Sequence, residues 1–314
     1  MLSLYIALSS LPNPPTCEQM NIVVLGPGAI GSLWASHLHT AGHSVSVWSR
    51  QTTPTLSIQL EQNSPVRFDN NVIDSLNNAD LILVTLKAPQ VTKSLASLAQ
   101  HIAGETMIVL MHNGMGTAEK ISTLLPNNPL LIATTTHGAL RDSHGIVRHT
   151  GHGNTQIGGY NTAGKRCEFL AEVLQHSLPE VRWNPNILSA LWNKLAINCA
   201  INPLSAINQV PNGRLADQQF AVTIDAVVEE VAQVMWAEGV ETTKEEVATN
   251  VLKVIEATAN NLSSMNQDIV HKRQSEIDFI TGYLLERAQC HGIPTPVNRT
   301  LYDEIKNIEQ SWNQ

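Results

Sequence analysis

The sequence predicts an α/β, Rossmann-type N-terminal domain followed by an all-α C-terminal domain. In the first half of the 314-residue chain, short apolar runs alternate with glycine-containing turns and helical patterns. From about Asn186 onward, strand signals end and long helical patterns dominate. This change places the domain boundary near Pro185, so we expect an α/β domain at residues 20–185 and a helical domain at 186–314.

The first nineteen residues stand apart from this pattern. The apolar stretch MLSLYIALSS is followed by LPNPPTCEQ, and Met20 directly precedes the first convincing strand. The stretch lacks a basic start and a small-residue cleavage site, so it matches a secretory signal poorly. We expect residues 1–19 to be a disordered extension, with a processed export segment as the alternative.

Composition excludes several classes of function. Charged residues make up 15% of the chain, the net charge is −8 and no basic cluster is present, so nucleic acid is not an expected partner. No apolar run approaches the roughly 18 residues of a membrane span. The cysteines show no Cys-x-x-Cys spacing, and no group of Cys and His has zinc-ligand spacing. This favours the reducing cytoplasm over a disulfide framework.

The first strand leads into a glycine-rich turn. The apolar run Asn21–Leu25 is followed by GPGAIG and then by a helical pattern. In this context the first glycine makes a tight turn, the second lets the backbone approach a pyrophosphate, and the third lets helix and strand pack closely. The free N–H groups of the helix would then bind phosphate, although a turn that binds nothing is the alternative. The candidate cofactor residues in this turn are Gly26, Gly28, Ala29, Ile30 and Gly31.

The end of the second strand distinguishes between the two nicotinamide dinucleotides. NAD enzymes usually carry an acid at this position, whereas here Ser44–Trp48 is followed by Ser49 and Arg50, with no acid before Glu61. An acid would repel a 2′-phosphate, and a guanidinium can bind one. We therefore predict NADP as the cofactor and Arg50 as a ligand of its 2′-phosphate. A solvated surface arginine is the alternative.

Two further apolar runs, Ala79–Leu86 and Thr106–Met111, predict buried parallel strands. Each run ends in a polar or glycine-rich loop, and ligands of open α/β sheets bind beyond such carboxyl ends. Lys87 and Gln90 are therefore candidates for the ribose and phosphate region, and Asn113 for the contact between nicotinamide and substrate. Ordinary turns are the alternative for both loops.

Late strands are expected between residues 130 and 159, where four histidines also occur. Their spacing matches no common metal site and no carboxylate accompanies them, so we predict no metal. We interpret them as loop and surface residues: His137, His144, His149 and His152.

The helical half contains a polar stripe within WNKLAINCAINPLSA. Lys194, Asn198 and Asn202 are four residues apart, so they drift by only about 40° per step around one helical face. Asparagine is a poor helix former and a lone amine among apolar residues is costly, so we predict the wall of a polar pocket rather than an exposed face. Pro203 is expected to end or kink this helix.

A second polar group lies in NNLSSMNQD and RQSEID. It is either a loop whose Ser275 caps the next helix or the opposite wall of the pocket. The predicted helices of this half are Ile187–Asn208, Gln218–Glu238, Thr243–Glu256 and Ser275–His291.

Taken together, these motifs resemble the ketopantoate reductase (2-dehydropantoate 2-reductase) family from about Met20 to about Pro296. The stretches that carry the resemblance are GPGAIG at 26–31, LVTLKAPQV at 83–91, HNGMG at 112–116, LWNKLAINCAINPLSAI at 191–207, SSMNQD at 263–268 and EID at 276–278. The resemblance implies reduction of ketopantoate to (R)-pantoate by NADPH, a step in pantothenate and coenzyme A synthesis. It also implies a small 2-keto acid as the partner and a monomer or homodimer.

The resemblance also implies residue roles. Lys194 would be the general acid, and Glu276 would hold the hydroxyl group of the substrate. Arg50, Lys87, Gln90 and Asn113 would serve the cofactor together with the glycine turn. The residues implied in substrate binding are Asn113, Asn198, Asn202, Asn261 and Ser264. Two alternatives remain, a reductase of another branched 2-keto acid and an NADP(H)-sensing regulator without turnover.

Overall fold

A computed structural model describes residues 18–312, so the predicted extension falls almost wholly outside the described residues. The strands are β1 (Asn21–Leu25), β2 (Ser44–Trp48), β3 (Thr55–Ile58), β4 (Val66–Asp69), β5 (Leu81–Val84), β6 (Met107–Leu110), β7 (Leu130–Thr135), β8 (Gly138–Arg141), β9 (Val147–Gly151), β10 (Thr155–Gly159) and β11 (Val181–Trp183). The helices are α1 (Ala29–Thr40), α2 (Ile73–Asn77), α3 (Ala88–Leu98), α4 (Ala118–Leu124), α5 (Leu170–Ser177), α6 (Ile187–Asn208), α7 (Gln218–Ala237), α8 (Lys244–Ala257), α9 (Ser264–Val270), α10 (Thr281–His291) and α11 (Pro296–Ser311).

A seven-stranded sheet organises the first half, in the order β11-β10-β7-β6-β5-β1-β2. Within this sheet the neighbouring strands β2, β1, β5, β6 and β7 run parallel to one another. Strand β10 then pairs antiparallel with β7. Every residue of β5 and β6 is buried, because helices or the second half cover both faces of the sheet. Two hairpins, β3–β4 and β8–β9, lie outside this sheet. The predicted fold class is confirmed: a Rossmann-type α/β domain precedes a helical one.

The helical half packs around α6, which contacts α7, α8, α9 and α11. One hydrophobic core runs from one face of the sheet, including Ile82 and Ile108, into α6 at Leu191 and Leu195. The two halves therefore share buried surface rather than being joined only by a linker. No helix between residues 18 and 312 has the length and apolar character needed to cross a membrane.

Helix α6 begins and ends at the predicted residues, but it does not end at Pro203. Proline lacks the N–H that would bond to the carbonyl of Cys199, which normally interrupts a helix. Here Pro203 and the residues on both sides of it are buried. We attribute the continuation of α6 to Asn208 to the packing of these residues in the core.

The predicted helix Ser275–His291 is wrong in its first part. Only a short 3-10 turn, Ile277–Phe279, precedes α10. The Ser275 hydroxyl accepts a hydrogen bond from the N–H of Ile277 (3.2 Å) and donates one to Oε1 of Glu309 (2.7 Å), so Ser275 anchors α11 rather than capping α10. Helices α9 and α11 are additional to the predicted set.

One histidine prediction is wrong, because His137 is buried and not at the surface. Its Nδ1 lies 3.0 Å from Nε2 of His149, and the ring of His149 is tilted by 60° against that of His152, with 4.3 Å between the ring centres. His37 on α1 completes this histidine cluster, with its ring 6.4 Å from that of His149. Within residues 18–312, no group of His, Cys, Asp or Glu has the geometry to hold a metal ion.

The histidine cluster predicts acid sensitivity. Burial, and then repulsion between the imidazoles, lowers the pKa values of His37, His137 and His149 below the usual 6.5. As the pH falls below about 6.5, the unfolded chain therefore binds more protons than the folded one. The contribution of these histidines to the free energy of unfolding is complete above about pH 6.5 and decreases below it. Urea unfolding at pH 7 and pH 5 should show this decrease, and it should be smaller in His149→Asn. The exposed His144→Asn is the control, and an unchanged pH dependence in His149→Asn would contradict the prediction.

Candidate active site

The glycine turn after β1 is tightly packed at Gly26 and Gly31 and open at Gly28. Gly26 has a φ of 93°, which favours glycine, and its N–H donates to the carbonyl of Trp48 (2.9 Å). A Cβ on Gly31 would collide with the carbonyl oxygen of Gly26 and the hydroxyl of Thr85. A Cβ on Gly28, by contrast, would come no closer than 4.0 Å to any atom beyond the two adjoining residues. The space in front of Gly28 is therefore open to a ligand, whereas Gly31 is needed for internal packing.

Arg50 lies just beyond the carboxyl end of β2, beside the glycine turn that follows β1. Its side chain is exposed, and it forms no ion pair with the residues the structure describes. The backbone before it is fixed, because the N–H of Ser49 donates to Oδ1 of Asn71 (2.9 Å). Gln90, in the first turn of α3, is also exposed.

Lys87 reaches across to the helical half. Its Nζ donates to Oδ2 of Asp268 (2.6 Å) and more weakly to the carbonyl of Gln274 (3.3 Å). The buried carboxylate of Asp268 also receives Nε of Arg273 at 3.2 Å. Lys87 is thus held in an ion pair at the junction of the two halves.

The carboxylate of Glu276 is a second link between the halves. Oε1 accepts the backbone N–H of Ala88 (3.0 Å), at the start of α3, and Oε2 accepts Nδ2 of Asn113 (3.1 Å). The side chain is buried, and this burial raises the pKa of Glu276, while the two hydrogen bonds oppose the rise. A carboxylate from the helical half therefore occupies the positive end of α3.

Lys194 projects from α6 toward the end of β7. Its Nζ donates to the backbone carbonyl of Thr135 (2.9 Å). Desolvation lowers the pKa of Lys194 to about 8, and the negative charge of Glu276 opposes this shift. The two groups interact at a distance, since no Lys194–Glu276 ion pair within 4.0 Å occurs in the described part of the chain.

His112 belongs to the same region, although the sequence does not single it out. Its Nδ1 donates to the carbonyl of Asn113 (2.9 Å), and its Nε2 lies 2.8 Å from the hydroxyl of Thr117. Burial, followed by the nearby Lys194 charge, lowers the pKa of His112 to about 4 despite the opposing bond to Asn113. The imidazole is therefore neutral and fixes the loop that carries Asn113. The HNGMG motif is the one signal that could have indicated it.

The remaining predicted residues lie farther along the helical half. Asn198 is partly exposed and Asn202 is buried, both on the face of α6 that carries Lys194. Ser264 is exposed at the start of α9, whereas Ser263 is buried and caps that helix through the N–H of Asn266 (3.0 Å). Asn261 is exposed just before α9. Within residues 18–312, neither Asn261 nor Ser264 forms a side-chain hydrogen bond to Lys194, Glu276 or Asn113.

The structure therefore brings Lys87, Asn113, Lys194 and Glu276 to one junction beside an open glycine turn. An α/β domain with an open glycine turn, joined to a helical domain that supplies a desolvated amine and a buried carboxylate, is the arrangement expected of a two-domain, nicotinamide-dependent reductase. Models of the families "Ketopantoate reductase PanE/ApbA" and "Ketopantoate reductase PanE/ApbA C terminal" match residues 22–162 and 186–309. The chain belongs to the ketopantoate reductase family.

Individual relatives agree with this membership. The chain is 54% identical over 295 residues to a 2-dehydropantoate 2-reductase of Vibrio cholerae, covering 94% of this chain and 100% of that one. A crystal structure of a PanE/ApbA family ketopantoate reductase from Ralstonia eutropha has a TM-score of 0.83 at 30% identity, covering 93% of this chain and 100% of that one. A ternary structure of D-mandelate dehydrogenase with NADH and anilino(oxo)acetate has a TM-score of 0.84, covering 93% and 100%. Its identity is 23%, so it shows a common fold alone.

The electrostatic coupling of Lys194 to Glu276 can be tested without a ligand. Glu276→Gln removes a negative charge that raises the pKa of Lys194, so this pKa should fall below about 8. The shift can be followed by NMR of the lysine ε-methylene group, assigned with Lys194→Met. Glu286→Gln, on the exposed face of α10, is the control. If the Lys194 pKa were the same in Glu276→Gln as in the wild type, the coupling would be absent.

Proposed function

We propose that this chain reduces 2-dehydropantoate (ketopantoate) to (R)-pantoate with NADPH, a step in pantothenate and coenzyme A synthesis. The observation that carries the proposal is the Lys194 amine, which is desolvated, has no ion pair among the described residues and lies at the end of β7, at the same edge of the sheet as the glycine turn. Family membership and the identity of 54% to a 2-dehydropantoate 2-reductase support the same activity.

The α/β domain would hold the nicotinamide cofactor, whose chemistry is the supply of a hydride to C2 of the keto acid. Negative charge then develops on the C2 oxygen, and Lys194 is the residue that donates a proton there. With a pKa of about 8, this amine is mostly protonated at pH 7 yet close enough to neutrality to transfer its proton readily. Its bond to the Thr135 carbonyl orients the Nζ atom before substrate binds.

Glu276 is proposed to hold the hydroxyl group of the substrate. Each of its carboxylate oxygens already accepts one hydrogen bond, from Ala88 and Asn113, and each retains a further lone pair. A keto acid that lacks the hydroxyl would leave the carboxylate without this bond, which favours ketopantoate. Because the two existing bonds fix the carboxylate, the hydroxyl would be recognised by a rigid acceptor.

The rest of the polar group is proposed to position the keto acid. Asn198 and Asn202 follow Lys194 along α6, and Ser264 begins the helix that also carries Asp268. Amide and hydroxyl donors there would bind the substrate carboxylate and set the angle of hydride approach. Asn261 is proposed as a more peripheral contact, since it is exposed.

The α/β domain at residues 20–185 is proposed to bind the cofactor, and the helical domain at 186–314 to supply the proton donor. Arg50 would bind the 2′-phosphate of NADP, while Lys87 and Gln90 would contact its ribose and phosphate region. Lys87 would have to exchange its bond to Asp268 for the cofactor or share it between both. Monomer and homodimer are both compatible with this arrangement.

Lys194→Met should lower kcat for ketopantoate by about 10²–10⁴-fold, because the C2 oxygen loses its proton donor. The affinity for NADPH, measured by titration of its fluorescence, should stay within about twofold. In the wild type, kcat/KM should fall as the pH rises through about 8, where Lys194 of the free enzyme loses its proton. Lys253→Met, an exposed change on α8, is the control. Absence of ketopantoate-dependent NADPH oxidation in the wild type would overturn the proposed function.

Arg50→Gln should weaken NADPH binding by about 10–100-fold, the worth of one charged hydrogen-bonded contact. Binding of NADH, which lacks the 2′-phosphate, should change little. Dissociation constants for both cofactors can be compared with those of Arg299→Gln, an exposed arginine on α11. Equal loss for NADPH and NADH would show that Arg50 does not read the 2′-phosphate.

A further inference from the structure

The β8–β9 hairpin lies outside the main sheet and packs against α1, the helix that follows the glycine turn. Arg141, the last residue of β8, reaches back to that turn. Its Nη2 donates to the carbonyl of Pro27 (2.8 Å) and to the hydroxyl of Ser32 (2.7 Å). Ser32 is itself buried and donates to the same carbonyl (3.1 Å). A guanidinium distant in sequence thus holds both sides of the glycine turn.

These bonds use only part of the guanidinium. The group has five N–H donors in a fixed plane, and both bonds to the turn come from one nitrogen. Arg141 is exposed and forms no ion pair with any carboxylate in the described part of the chain. By contrast, Arg148 on the next strand is paired with Asp142 and Glu61. A positive charge with unused donors therefore remains beside the turn.

A neutral donor would suffice if the only task were to hold the turn. The bonds to Pro27 and Ser32 join neutral groups, and an amide could make them. The guanidinium adds a permanent charge on the carbonyl of Pro27, the residue before Gly28, where the turn leaves space for a ligand. The N–H groups at the start of α1 favour an anion at this same place. Charge and open space together indicate a phosphate ligand.

We propose that Arg141 binds the pyrophosphate of the dinucleotide, from the hairpin side of the glycine turn, while its Nη2 keeps the turn in place. This role rests on the proposed function, because it needs a dinucleotide in the glycine turn. It differs from the role of Arg50, which would bind a group found only in NADP. Arg141 would instead serve NADPH and NADH alike.

The difference gives a direct test by calorimetric titration of the full chain with four ligands: NADPH, NADH, ADP-ribose and adenosine 2′-monophosphate. Arg141→Gln should weaken the first three, which contain pyrophosphate, by a similar factor of about 10–100. Adenosine 2′-monophosphate has no pyrophosphate, so its binding should stay within about twofold. Arg141→Lys should retain part of the affinity, because it keeps the charge without the planar fork.

Two further variants separate binding from a purely structural effect. Ser32→Ala removes one bond that holds the turn but leaves the charge, so it should weaken binding by less than about threefold. Arg148→Gln, in the same hairpin, should have no effect. If Ser32→Ala matched Arg141→Gln, or if adenosine 2′-monophosphate weakened equally, the proposed contact would be refuted. No change for any ligand in Arg141→Gln would refute it as well.

These titrations contain no keto acid, so their outcome is independent of the reaction. A chain that binds dinucleotides through Arg141 but does not oxidise NADPH with ketopantoate would retain this inference and lose the proposed function. Conversely, normal ketopantoate reduction with unaltered NADPH, NADH and ADP-ribose binding in Arg141→Gln would retain the function and remove the inference.

Discussion

The junction between the two halves depends on the buried carboxylate of Glu276. It comes from the helical half, yet both of its hydrogen-bond donors, Ala88 and Asn113, belong to the α/β half. Such a carboxylate is stable only while those donors are in place, so it fixes the start of α3 and the loop after β6 relative to α10. The backbone bond from Met115 to Phe279 (2.8 Å) reinforces the same contact. The geometry of the candidate site follows from this contact.

Desolvation and charge act against each other at this junction. Burial lowers the pKa of Lys194 to about 8 and that of His112 to about 4, so one group is a weak acid and the other is neutral at pH 7. The charge of Glu276 prevents a further fall for Lys194. In the proposed reaction Lys194 would thus be a proton donor with a pKa near neutrality, and the neutral His112 beside it would not compete for the proton.

Local patterns made much of the fold predictable. The glycine turn, the apolar strands and the period of α6 each depend on neighbouring residues, so the fold class and the bounds of α6 are confirmed. For α11 the spacing of Val297, Leu301 and Ile305 also indicates a helix, and this helix is absent from the predicted set. The bond of Ser275 to Glu309 was not predictable, because Ser275 has the local sequence of a helix cap. The roles of Lys194, Glu276 and the amides remain predictions.

Contacts between distant residues account for most of what the sequence does not reveal. Nothing near Lys87 indicates that Asp268 will be its partner, and nothing near Lys194 indicates the Thr135 carbonyl. Similarly, the positions of the histidines in the sequence do not show whether their side chains are exposed or clustered. Their contacts form only when α1 and the β8–β9 hairpin pack together. Patterns identify which residues are unusual, and the packing then decides which of them meet.

The core shared by the sheet and α6 has a consequence for recombination between related chains. Ile82 and Ile108 pack in the same cluster as Leu191 and Leu195, so a cut at the chain boundary would expose apolar surface on both pieces. Exchanging one half for that of a distant homologue would disturb this packing as well as the bonds to Glu276. The effects of mutations on the sheet side and on the α6 side of this core are therefore expected to depend on each other. The two halves should be exchanged between homologues together rather than singly.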